Sequence, residues 1–204
     1  MLFLCFFFEA LFVLDISFKN KLTAQKGRVL LADPFLTDEY FQRSVVYLCE
    51  HSKAGSFGFV LNNYVDISIN ELNPNFPALK VKLSLGGPVE TESLYFLHTL
   101  GHDLNESIEL KNGIYIGGDF EQLTTVLTKE HFLDNKIRFF LGYAGWEARQ
   151  LSEELKLHNW IVANVDNLDE IMSTRIEDPW TYFMNKLDPK FQVISKFPIN
   201  PNDN

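Results

Sequence analysis

The sequence predicts an α+β fold, with a mostly antiparallel sheet and about three or four peripheral helices, and three observations carry that expectation. Short β-branched or aromatic runs, each stopped by Gly, Pro or Asn, dominate the first half of the 204 residues. Helical spacing of apolar residues is concentrated in the second half. Strands and helices alternate too irregularly for a doubly wound parallel sheet.

In chain order, Gly27 to Ala32 is expected to form a short buried strand, stopped by Asp33-Pro34 because a residue before proline avoids the helical region. Thr37 to Phe41 resembles a brief helical turn with acidic residues at its start. Ser44 to Cys49 is β-branched and aromatic, and the glycines of Ser52 to Asn62 suggest a bulged hairpin with the strand before it. A turn of helix around Ile67 to Leu72 ends at the prolines 74 and 77. Val81 to Leu85 alternates at period two, Leu94 to Leu100 is apolar, and Ile108 to Ile116 folds back at Asn112-Gly113, a strong hairpin signal. Asp119 caps a helix over Phe120 to Thr128, and Ile137 to Leu141 is a strand entering a turn at Gly142-Tyr143-Ala144-Gly145-Trp146. Trp146 to His158 lacks Gly and Pro and is expected to be helical. Trp160 to Val165 is the last strand, and Asp178-Pro179 caps a helix to about Leu187.

No repeat or linker divides the chain, so residues 15–195 are expected to be one domain, with 196–204 a frayed tail. Met1 to Leu14 is almost wholly apolar, but it lacks a basic start and a small-residue cleavage pattern, and it is too short to span a bilayer. An extension from a misplaced start codon, a targeting or membrane-associating segment, and an integral element are its readings. The two cysteines, Cys5 and Cys49, are far apart and suit a reducing, cytoplasmic setting, with Cys49 inside an apolar strand. A net charge of -9 with no basic run argues against direct DNA binding.

Several groups could carry chemistry. Glu50-His51 could act in acid-base catalysis or cap a strand, although adjacent strand residues face opposite ways. His98 and His102 lack the helical spacing of a zinc pair, so no metal or other cofactor is expected. Gly86-Gly87-Pro88-Val89 could present amides to an anion or form a tight turn, and it lacks the full phosphate-loop motif. Gln150 and Glu154 stand four apart beside the glycine turn, where they could bind a ligand or tie down a loop. No G-x-S-x-G elbow supplies a nucleophile. A cleft shared by His51, Asn62, Gly87 and Gln150 would unite these pieces.

Their order is informative. Leu31-Ala32-Asp33-Pro34-Phe35-Leu36, Phe41-Gln42-Arg43-Ser44-Val45, Glu50-His51, Gly55 with Gly58 and Asn62, Gly86-Gly87-Pro88-Val89, Leu97-His98, and Gly142-Tyr143-Ala144-Gly145-Trp146 with Gln150, Leu151, Glu154 and Trp160 together resemble the AlgH family, also called YqgE. The match runs from about Gly27 to Leu187. It implies a bacterial protein with a bifurcated sheet folded into a pseudo-barrel and no established catalytic activity, in a family named for regulation of alginate synthesis. Because these turn-centred motifs lack an acid-base-nucleophile set, the chain is expected to be a non-catalytic binding or regulatory module for a small molecule or a protein partner. The alternative is an enzyme, hydrolytic in type, that uses His51 or His98 with Glu50 or Glu154. The family pattern has glycine before the Gln-Leu pair, where this chain has Arg149.

Overall fold

A computed structural model describes residues 20–77, 79, 81–129 and 135–197, so the apolar segment 1–14 and the tail beyond Phe197 lie outside the described residues. The strands are β1 (Val29–Ala32), β2 (Val45–Ser52), β3 (Gly55–Val60), β4 (Tyr64–Val65), β5 (Leu83–Leu85), β6 (Val89–His98), β7 (Ile108–Lys111), β8 (Ile114–Ile116), β9 (Ile137–Glu147) and β10 (Trp160–Ala163). The α-helices are α1 (Ile69–Leu72), α2 (Phe120–Lys129), α3 (Gln150–Lys156), α4 (Asp169–Met172), α5 (Pro179–Asn185) and α6 (Pro189–Ile194). None of the described helices is long and apolar enough to cross a membrane.

The strands run in the order β10-β1-β2-β3-β9-β6-β8-β7, with β4 and β5 branching off β9. The α+β class and the predominance of antiparallel pairing agree with the sequence. The six described α-helices exceed the three or four expected, and the two ends of the strand path do not pair among the described residues. The sheet is therefore open, where the resemblance implied a pseudo-barrel. It does branch: β5 lies parallel to β9 at Phe139 to Leu141, while β3 pairs antiparallel with Ala144 to Glu147.

Both sheet faces are covered, which explains why β1 is apolar throughout. Val29 and Leu31 join one core with Trp180, Phe183 and Met184 of α5, whereas Leu30 and Ala32 join another with Trp160 and Leu151. A third core packs α2 through Leu123 and Leu127 against Phe139 and Leu141. β9 contributes to all three, through Phe140, Ala144 and Phe139 respectively. Cys49 is fully buried, and desolvation pushes its thiol far above the ordinary range, as suits a structural cysteine. Arg138 is buried too, donating to the carbonyls of Ile171 and Leu61. At the outer edge of β10, the Asn20 side chain donates to the Trp160 carbonyl at 2.9 Å and accepts from the Val162 amide at 2.7 Å.

The local signals fared well where the partners are neighbours. Asn112 and Gly113 both take positive φ, 54° and 79°, and join β7 to β8. Asp178 accepts from the Thr181 amide at 2.9 Å, with Pro179 in the first turn of α5. Thr37 to Phe41 forms turns and no helix. The same Asp-Pro signal recurs at Asp188-Pro189, where it starts α6.

The segment Gly142 to Trp146 requires correction: it is strand, not turn, and α3 begins at Gln150, not Trp146. Tertiary pairing overrides the local pattern, because Gly145 and Trp146 are registered with Phe57 and Ser56 of β3. The glycines serve a close crossing of backbones. A Cβ on Gly87 would lie 1.9 Å from the Tyr143 carbonyl carbon and 2.0 Å from the Ala144 nitrogen. Gly142 takes a φ of +66°, and its Cβ would lie 2.6 Å from the Val89 carbonyl. Substitution Gly87→Ala cannot be accommodated by a rotamer change, since the atoms it meets are main chain. Its expected effect is a loss of about 3 kcal/mol or more of unfolding free energy in urea titrations, at the upper end of single-residue effects.

Candidate functional site

The hairpin of β2 and β3, the start of β6 and the end of β9 enclose a cleft of about 840 Å³. The hairpin register sets Glu50 opposite Phe57 and His51 opposite Ser56, and β9 then places Gly145 beside Phe57 and Trp146 beside Ser56. Tyr143 and Val89 enter from the adjoining β6–β9 pair. Strand pairing alone thus brings to one place residues more than eighty positions apart.

Aromatic rings dominate the cleft. Phe57, Phe59, Tyr95 and Tyr143 form a closed circuit of contacts, with successive centroids 6.3, 5.7, 5.7 and 6.0 Å apart. Phe59 is fully buried beneath the other three. Among the described residues, the charged ones lining the cleft are the exposed glutamates 50, 90 and 147, with no Lys, Arg or His beside them. Tyr95 donates its hydroxyl proton to Glu90. Desolvation, the hydrogen bond to Glu90 and that carboxylate's charge push the phenol up to about 12, so it keeps the proton it donates. Glu90 itself has a φ of +50°, in the register shift between Val89 and Leu94.

Of the residues singled out from the sequence, Glu50, Gly55, Val89, Tyr143, Gly145, Trp146 and Gln150 line this cleft. His51 stands behind it, its Nδ1 2.7 Å from the hydroxyl of Ser56, a lining residue. Gly86, Gly87, Pro88 and Gly142 are outside the lining; Gly86 donates to the Leu141 carbonyl at 2.7 Å and accepts from Val60 at 2.8 Å. Both its hydrogen-bonding groups are thus used by backbone, as a packing role requires. Asn62 is also outside the lining, and it ties the chain entering β2, accepting from the Val45 amide at 2.9 Å and donating to the Arg43 carbonyl at 2.8 Å. Of His51, Asn62, Gly87 and Gln150, only Gln150 reaches the cleft.

His98 lies elsewhere, fully buried at the β6–β8 pair. The Leu100 amide donates to its Nδ1 at 3.2 Å, which leaves Nε2 to donate to the Gly117 carbonyl at 2.9 Å. Burial lowers its pKa, against the opposing effect of the Gly117 bond, and favours this neutral form. Glu154 is likewise engaged. Its Oε2 accepts from the indoles of Trp146 at 2.9 Å and Trp160 at 2.7 Å, while Oε1 accepts from Gln150 at 3.0 Å. Gln150 in turn accepts from the Glu147 amide at 3.0 Å. The pair ties the end of β9 to α3, the loop-binding alternative of the sequence reading.

Ser56 was missed. Its partnership with His51 follows from the turn at Lys53-Ala54, which registers Ser52 with Gly55 and so His51 with Ser56. Recognition of that turn length was the available signal.

Fold and site together define a class: an open, branched, mostly antiparallel α+β protein with an aromatic cleft between its β2–β3 hairpin and its central strand. The chain belongs to the AlgH-like family, which matches residues 29–192. A UPF0301 protein of Cytophaga hutchinsonii is 39% identical over 182 residues, covering 88% of this chain and 98% of its own. One from Bacteroides thetaiotaomicron is 37% identical over 186 residues, covering 91% and 94%. The crystal structure of a Corynebacterium diphtheriae protein matches with a TM-score of 0.71 at 24% identity, covering 89% of this chain and 95% of that one. The solution structure of the AlgH protein from Pseudomonas aeruginosa matches at 0.68 and 24%, covering 88% and 97%.

Arg149, where the resemblance leads to glycine, has a φ of +71° immediately before α3. It is not among the residues lining the cleft, so the space beside Gln150 is not closed by its side chain. The left-handed conformation costs a non-glycine residue about 1–2 kcal/mol. Arg149→Gly is therefore expected to stabilise the protein by about 1 kcal/mol after the entropy of a freer unfolded chain is offset, seen as a higher midpoint in urea.

Proposed function

We propose that this chain is a non-catalytic ligand-binding module whose site is the aromatic cleft. The observation that carries this reading is the cleft's construction: about 840 Å³, within the span of small-molecule sites, over four mutually packed rings. His98 and Glu154 are engaged in hydrogen bonds within the fold, which is further support. A regulatory role acts through a protein partner, since the net charge of -9 disfavours phosphate backbones. The cytoplasm remains the proposed setting, in keeping with the free thiol of Cys49.

A thermal-shift survey across a panel of metabolites tests this. A ligand at a hundred times its Kd is expected to raise Tm by about 5 °C or more. Ala54→Trp, a substitution at an exposed turn residue on the cleft, should remove the shift by filling the entrance. A panel without any shift, or shifts indifferent to Ala54→Trp, would sink the reading.

The His51–Ser56 contact favours a second reading, a hydrolase with Ser56 as nucleophile and His51 as base. A fluorophosphonate probe distinguishes the two. On the binding reading Ser56 stays unlabelled, whereas labelling that His51→Ala abolishes would establish the hydrolase.

A further inference from the structure

We infer that the cleft selects an organic cation: an ammonium or guanidinium head on a small apolar body. The inference rests on the ligand-binding reading above and adds the chemical class. Three physical features converge on it. The faces of aromatic rings carry negative potential, and Phe57, Tyr95 and Tyr143 are partly exposed above the buried Phe59. The formal charges on the walls are all negative, from Glu50, Glu90 and Glu147, so the field inside disfavours an anion. Tyr95 directs its proton to Glu90 and thereby fixes one carboxylate beside the rings. A neutral apolar ligand would use the rings but gain nothing from the negative field of the carboxylates. A strongly hydrated inorganic cation would use the carboxylates but gain little from the rings. An organic cation satisfies both.

The test is calorimetric titration of the full chain with choline, with agmatine, and with 3,3-dimethylbutan-1-ol, the uncharged isostere of choline. At least one of the two cations is expected to bind about tenfold more tightly than the isostere. The combined substitution Glu50→Gln, Glu90→Gln and Glu147→Gln, at exposed positions, should erase that preference while leaving the Tm within a few degrees. Tyr143→Leu, confirmed folded by circular dichroism, should weaken the cation with the carboxylates intact. Equal affinity for choline and its isostere, with agmatine no better, overturns the inference, as does a cation preference that survives the triple substitution. If inorganic phosphate or a neutral metabolite binds the cleft and neither cation does, the cation inference falls while the ligand-binding reading stands. If no probe of any charge binds, both fall.

Discussion

The contact of the Gly86-Gly87 backbone with the backbone of Gly142 to Ala144 is the constraint from which the rest follows. Two main chains meet there at distances that leave no room for a side chain. β9 can consequently continue past Gly142 and exchange partners, from β5 and β6 at its start to β3 at its end. A strand with one set of neighbours would serve one or two cores. This one serves three, and the cleft exists because its final residues are delivered to the hairpin.

The cleft's far wall depends on a second arrangement, the single carboxylate oxygen of Glu154 shared by two indoles. Indole nitrogens only donate, so two buried tryptophans in contact need an acceptor between them. Glu154 supplies it and, through Gln150, also holds the Glu147 amide. Residues that resembled a binding pair in the sequence are the anchorage of a wall, and the surface they hold in place is largely aromatic.

Much of the fold was legible where partners are close in sequence. Asn112-Gly113 and Asp178-Pro179 act within a few residues of themselves, and both behaved as read. The Gly142 to Trp146 segment did not, because glycines that permit a crossing and glycines that permit a turn look alike until the crossing chain is known. That chain, Gly86-Gly87, lies more than fifty residues away. The same distance effect limited the site: Tyr143, Trp146 and Gln150 stand out locally beside glycines, whereas Phe57, Phe59 and Tyr95 resemble ordinary strand aromatics until the register places them around Tyr143. His98 was flagged for its chemistry, but burial and its Gly117 bond make it part of the frame.

An open sheet leaves outer strands whose unpaired main chain could recruit another molecule, and the two ends of the main strand path differ in their defence. On β10 the Asn20 amide occupies one carbonyl and one N–H as a neighbouring strand would, so part of the ladder offered to an incoming chain is already taken. On β7 the edge is only four residues long and carries Glu109 and Lys111 at exposed positions. Short length and alternating charge make poor templates for stacking. The chain thus keeps an unclosed sheet without offering a long, flat, apolar margin along which copies could polymerise.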